Sequence, residues 1–406
     1  MHRVLFLLHP FLMLLLSLKN FRLPYAKNIM WAFTVFFAMT IAVGHESKNS
    51  DINRYMAQVE ELHSEKMDIS SAITYFEKSG EVDVIRTLLA IIVSRFTANG
   101  YYLLPIYGLI FGFFFSRNMW FVLNRLKGKL QWVVVLLITV MFLVMPIWSL
   151  GGFRYNTATH VFLYGLLPFL YSGTKKSLVW CFITPVVFHF AFVLPAVVVL
   201  LYLIVGQRLT LYFAFFISTL FISEINITQF NSYIDNYAPE RLAERSEGYR
   251  SATAVLNYRQ AATSSNSWHA RYYQKALRWS LIAFLLILFF RSKQVLLTNP
   301  MLLRILSFTY LFFGVGLLMS SIPSGGRYLS PASILAAAVL AVYIQNNKQE
   351  KWMKRAISVS IPLLLLFIIV EFRKGFYFAS ITTVLGNPLI AIYTFGENIP
   401  LNELIK

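Results

Sequence analysis

The chain has 406 residues, 57% of them hydrophobic, 17% aromatic and only 13% charged, with a mean hydropathy of +0.61, outside the range of water-soluble domains. A net charge of +18 would suit nucleic acid if Lys and Arg gathered on one water-exposed face; here they punctuate apolar runs, which excludes that partner and reports membrane topology instead. The single cysteine, Cys181, lies within an apolar run, which excludes an internal disulfide, a thiolate metal cluster and a dithiol redox pair.

A helix crosses the hydrocarbon with roughly 20 apolar residues, about 17 at the short end. On that scale spans are expected at 3–18, 28–44, 101–116, 131–149, 156–172, 177–189, 191–206, 210–223, 276–290, 302–320, 328–345 and 356–372. The run 376–395 is a thirteenth span or a re-entrant segment. The first run lacks a small-residue cleavage site and is followed by basic residues, so it reads as a retained helix and not a signal peptide. Alternate connections collect the basic residues: Lys19, Arg22 and Lys27; Arg117, Arg125, Lys127 and Lys129; Lys175 and Lys176; Arg208; Arg291, Lys293 and Arg304; Lys348, Lys351, Lys354 and Arg355. Only one carboxylate, Glu350, accompanies them, so these connections are expected in the cytoplasm. The segments 45–100 and 224–275 carry 14 of the 18 acidic residues and are expected outside, together with the N-terminus. Within the first of them, 81–96 is apolar yet holds Arg86 and Arg95, and a span there would invert the charge asymmetry downstream. It is read as an amphipathic helix in the outer interface. The expected fold is an all-α, polytopic transmembrane helix bundle of about twelve spans: one integral membrane domain over 1–406 with two longer extracytoplasmic segments and no internal repeat.

Ionisable residues in or beside a membrane bundle are expensive and are site candidates by default. Arg154, in Gly151-Gly152-Phe153-Arg154-Tyr155, opens a span at its outer end: either an interfacial anchor or a guanidinium gripping a phosphate. Arg327, after Ser324-Gly325-Gly326 and before Tyr328, has the same two readings. His189, in Val187-Phe188-His189-Phe190, turns one apolar run into the next and is either a structural donor or a general base. Asp51, Arg54 and Tyr55 follow the second span as a solvated helix or as part of a site. In 224–275, Arg241, Arg245 and Arg250 interleave with tyrosines and Trp268, a mixture fitting an anionic glycan or an interface-hugging loop. Gly-rich phosphate loops, His-Glu-x-x-His, Gly-x-Ser-x-Gly and Cys-x-x-Cys are absent, and the expected spans lack the buried carboxylates of ion-coupled pumps.

The succession of a basic first loop, Ser50-Asp51-Ile52-Asn53-Arg54-Tyr55, an interfacial helix with Asn99, Arg154 opening the fifth span, Phe188-His189 between short apolar runs, and Gly326-Arg327-Tyr328 resembles the EpsG and Wzy-like bacterial polysaccharide polymerases. The resemblance spreads over most of 1–345 and includes the Arg-x10-Gly spacing of such polymerases, from Arg154 to Gly165. It implies transfer of a growing glycan from one undecaprenyl diphosphate carrier to a new lipid-linked repeat unit on the outer face of the bacterial cytoplasmic membrane. No cofactor or metal is then required, and a flippase and a chain-length regulator are implied as partners. In that setting Arg154 and Arg327 stabilise the departing diphosphate, and His189 or Asp51 takes the proton of the attacking hydroxyl. Arg54, Tyr55, Tyr155, Tyr328, Arg241, Arg245, Arg250 and Trp268 would bind substrate. Alternatives are a lipid-carrier glycosyltransferase adding a single sugar, a lipid-linked oligosaccharide flippase and a membrane acyltransferase.

Overall fold

The computed structural model describes residues 2–43, 51–65, 83–222, 236, 267–347 and 350–404, with the backbone alone over 292–297. Arg241, Arg245 and Arg250 lie outside the described residues, as does most of the segment 224–275.

Among the described residues the protein is all-helical. The α-helices in chain order are α1 (His2–Leu8), α2 (Pro10–Lys19), α3 (Ala26–Thr40), α4 (Asp51–Ser64), α5 (Val84–Ser94), α6 (Leu103–Leu123), α7 (Trp132–Val144), α8 (Phe153–Ser172), α9 (Val179–Val187), α10 (Val193–Val205), α11 (Leu209–Leu220), α12 (Trp268–Thr298), α13 (Pro300–Met319), α14 (Leu329–Asn346), α15 (Lys351–Val359), α16 (Ile361–Gly375), α17 (Ile381–Leu385), α18 (Pro388–Tyr393) and α19 (Leu401–Leu404).

Among the described residues five helical runs are long and apolar enough to cross a membrane: Gly100–Leu123, Trp132–Ser172, Trp268–Arg291, Pro300–Met319 and Gly325–Asn346. A sixth appears if α15 and α16, bent by 56° at Ser360, act as one. The run Trp132–Ser172 has 41 residues, about 60 Å at 1.5 Å per residue and about twice the hydrocarbon thickness. It is interrupted where Met145 (ψ 76°) and Pro146 (ψ 175°) leave helical conformation, before the 3₁₀ segment Ile147–Gly152.

Length and composition therefore do not yield the twelve separate spans expected from hydropathy. The reasons are local. The run 3–18 is split because Pro10 starts a new helix and the His9 side chain accepts the Leu12 N–H, at 3.2 Å, as its N-cap. The run 177–189 yields only the nine residues of α9, with Pro185 inside and His189 extended beyond it. The run 376–395 is not a continuous helix: Gly386 and Asn387 separate α17 from α18 in extended conformation, and Pro388 opens the latter. The segment folds back onto the end of α3, where Phe378 O accepts the Ala42 N–H at 2.8 Å and Ser380 Oγ donates to Thr40 O at 2.8 Å.

Hydrogen bonds between helices occur within the bundle, as from Asn118 to His160 O (2.7 Å) and from Tyr310 to Leu285 O (2.8 Å), and at both of its ends. At one end the Gln345 amide donates to Lys127 O (2.6 Å), the Trp120 indole to Phe21 O (2.9 Å) and Arg304 to Phe169 O (3.2 Å); this is the end carrying the basic connections. The other end gathers Thr40, α4, α5, the start of α8 and the turns after α9 and α13. Between them α14 forms the centre of the bundle, with 94% of its apolar window inside the protein. Its run of Ala336, Ala337, Ala338 and Ala341 lets α7 and α13 pack closely against it.

Helix α5 inverts the pattern of a helix lying in water. Arg86, Thr87 and Ser94 point inward, whereas Val84, Leu88 and Ile92, spaced four apart, are exposed. An apolar stripe exposed among the described residues suits a lipid-facing position. Helix α4 presses on the backbone at Gly100, where a Cβ would stand 2.4 Å from Met56 Cα. Gly100→Ala is therefore expected to push α4, and Tyr55 with it, off the bundle. A destabilisation of about 1–3 kcal/mol, as for other overpacking changes, should appear in the thermal unfolding of the purified protein.

Candidate functional site

At the end opposite the basic connections one carboxylate ties three elements together. Asp83 precedes α5 and is 3% exposed. Its Oδ2 accepts from Arg154 Nη1 at 2.9 Å, and its Oδ1 accepts the Phe190 N–H at 3.1 Å and stands 3.7 Å from His189 Nδ1. Arg154, the second residue of α8, also donates through Nε to the Tyr55 hydroxyl of α4 at 3.0 Å. Two directional bonds from one planar guanidinium fix its orientation, which the point charge of a lysine would not achieve. About a quarter of the Arg154 side chain remains exposed, so its cation is positioned without being sealed in. Below it, Arg86 of α5 donates to Gln58 and lies over the Tyr55 ring, 4.9 Å from its centroid. Burial raises the Tyr55 phenol above its ordinary range, with Arg154 opposing.

Tyr155 links this group to the last turn of the site. Its hydroxyl donates to Arg327 O at 2.9 Å, the Arg327 guanidinium lies 5.3 Å over its ring, and His189 meets that ring edge-on at 5.7 Å. Tyr328 donates to Ala191 O at 2.9 Å, closing the 3₁₀ segment Gly325–Tyr328 onto the connection between α9 and α10. Arg327 Nε donates to Ser324 O at 2.8 Å, within a turn in which Ser324 adopts φ 61°, the left-handed region.

His189 is buried, and its Nδ1 accepts the Ala191 N–H at 3.3 Å, which puts the proton of the neutral ring on Nε2. Its pKa is pushed down to about 4, first by burial and then by Arg154 and Arg327, against the pull of Asp83 and Asp51. The imidazole is thus neutral at physiological pH. Two guanidinium groups beside a neutral histidine, with one internal carboxylate, leave an excess of positive charge suited to a polyanion such as a diphosphate.

The structure brings together Tyr55, Arg154, Tyr155, His189, Arg327 and Tyr328. Asp51 and Arg54 instead pair with each other on the exposed face of α4, and Asp51 reaches the cluster only through its field at Arg154 and His189. Trp268 is 66% exposed at the start of α12 and contacts His269 rather than the cluster. Sequence reasoning missed Asp83, Arg86 and Arg278; the Arg278 guanidinium of α12 comes within 3.9 Å of where a Cβ on Gly326 would stand. A signal for Asp83 was present. Residues 84–223 contain no Asp or Glu, so a partner for Arg154 had to come from outside that stretch, and Asp83 borders it.

The EpsG family model matches residues 29–383, which include every residue of the cluster. No curated protein and no solved structure matches the chain.

Proposed function

The chain belongs to the EpsG family of Wzy-like polysaccharide polymerases, and from that premise we propose that it joins lipid-linked oligosaccharide repeat units at the outer face of the bacterial cytoplasmic membrane. The growing glycan leaves undecaprenyl diphosphate and passes to a sugar hydroxyl of the next repeat unit. The bond from the anomeric carbon to the diphosphate oxygen breaks with its electron pair on the leaving group, the hydroxyl oxygen forms the new glycosidic bond, and His189 takes the hydroxyl proton. Arg154 and Arg327 stabilise the charge that develops on the departing diphosphate. An anionic diphosphate also offsets the two guanidinium charges that hold the His189 pKa down, so substrate raises the basicity of its own base. For this step the ring carries its own proton on Nδ1, facing Asp83 Oδ1 3.7 Å away, instead of on Nε2, so that Nε2 takes the hydroxyl proton and Asp83 holds the imidazolium that results. Tyr55, Tyr155 and Tyr328 hold the arginines and turns of the site, their hydroxyls bonded to Arg154, Arg327 O and Ala191 O. The shorter apolar helices are read as tilted or thinned crossings completing about twelve spans, with the N-terminus outside.

The observation that carries this reading is the convergence of Arg154, Arg327 and His189 around Tyr155 at the end of the bundle away from the basic connections. An electrophoretic profile of lipid-linked and surface glycan, with the gene deleted and restored, tests it. Long chains should vanish while one complete, outward-exposed repeat unit accumulates. An incomplete unit would indicate a single-sugar glycosyltransferase, and a complete unit stranded on the cytoplasmic face a flippase.

A further inference from the structure

At the basic end, remote from the cluster above and independent of the reaction proposed for it, we propose a binding site for a phosphate-bearing anion, of the kind an anionic phospholipid headgroup presents. A cavity of about 400 Å³ opens there between α6, α8 and the 3₁₀ segment Lys175–Leu178, with Lys27, Arg117, Asn124, Tyr164, Ser177 and Trp180 in its wall. Arg117 is half-buried and held in place. Its Nη2 donates to Asn28 Oδ1 at 2.8 Å, its Nη1 to Ser116 Oγ at 2.9 Å, and its guanidinium lies 4.8 Å over Trp31 and 4.5 Å over Phe113.

Every one of those partners is neutral. Among the described residues neither Arg117 nor Lys27 makes an ion pair, and α6, α8 and the turn between α8 and α9 contain no carboxylate to supply one. A basic residue that only marks topology needs nothing more than water around it. A guanidinium packed against two aromatic rings has instead lost part of its hydration and lacks a counter-ion among the described residues. Lys27, Asn124 and the Trp180 indole add N–H groups that make no hydrogen bond among the described residues. The remaining wall, with Phe121, Leu167 and Pro168, is apolar and suits the glycerol and upper chains of a lipid better than a free ion. Basic, polar and apolar groups thus meet at one membrane-edge cavity, which is the arrangement that recognises an anionic headgroup.

The test is the thermal midpoint of the purified full chain in nanodiscs of phosphatidylcholine, with and without phosphatidylglycerol, and with inorganic phosphate added to the neutral discs. Phosphatidylglycerol should raise the midpoint by about 2–4 °C, and the Lys27→Gln/Arg117→Gln double variant should lose that increment. Asn124→Asp keeps both cations but places a carboxylate in the cavity, and it should lose the increment as well, which covers a double variant that does not fold. An equal increment from inorganic phosphate alone would assign the site to a soluble phosphate instead of a lipid. A wild-type response to phosphatidylglycerol in both variants overturns the site.

Discussion

Replacing Arg154 by Ala should reduce polymer formation by about 10²–10³-fold, the loss typical of removing one preorganised group that stabilises developing negative charge. The guanidinium is aimed before substrate arrives. Nε is bonded to Tyr55 and Nη1 to Asp83, and about a quarter of the side chain remains exposed. Arg154→Lys should recover little, because an ammonium cannot hold Tyr55 and Asp83 in the same geometry while presenting charge to a diphosphate. The ratio of long-chain glycan to single lipid-linked repeat units, measured at equal membrane abundance, reports the effect. Wild-type chain length in Arg154→Ala would remove this residue from the diphosphate site.

Much of this site was legible in the sequence because cations in a membrane protein are costly. Arg154, His189 and Arg327 stand out against apolar surroundings, and each sits beside a break in hydropathy; the structure places all three at one end of the bundle. Their neighbours Tyr155 and Tyr328 follow directly in sequence and take part in the same turns. The tie that organises them was not legible, since Asp83 reads as one more acidic residue in an acid-rich outward segment. Its importance comes from a contact with Arg154, 71 positions away, and another with Phe190, 107 positions away. Asp51 and Arg54 stand outside the cluster for a related reason. Three residues apart on one helix face, they satisfy each other, and α4 turns them toward solvent while Tyr55 points inward.

The fold shows the same division between local and long-range information. The all-helical character and the long spans Pro300–Met319 and Gly325–Asn346 follow from uninterrupted apolar runs. The short segments do not, because hydropathy averages over the features that end a helix. Pro10 after His9, the extended His189, and Gly386 with Asn387 each stop a run that composition alone would extend. Those stops have consequences. The break at His189 puts the imidazole in a turn facing Asp83 and Tyr155 rather than on a helix facing lipid.

Asp83→Asn should separate the two services that this carboxylate performs. The amide can still accept the Phe190 N–H, so the turn after α9 keeps its anchor, but the charge facing Arg154 and His189 is gone. Breaking a buried ion pair on one side costs about 3 kcal/mol or more, a figure to be discounted here because part of Arg154 is exposed. A fall in polymerisation of about 10–100-fold is expected, together with a change in pH dependence that a purely structural lesion would not produce. The sign follows from the direction of the His189 shift. Its pKa is lowered from the usual imidazole value to about 4, so the neutral, base-competent ring is present above that pH and is lost as the pH falls through it. The acid limb of kcat/KM, which reports the free enzyme, should therefore lie near pH 4, and that of kcat should lie higher because bound diphosphate offsets Arg154 and Arg327. In Asp83→Asn both limbs should move to lower pH, since the group that favours the imidazolium has lost its charge. Limbs left in place, with only the amplitude reduced, would mean that Asp83 orients Arg154 and that His189 is not the base.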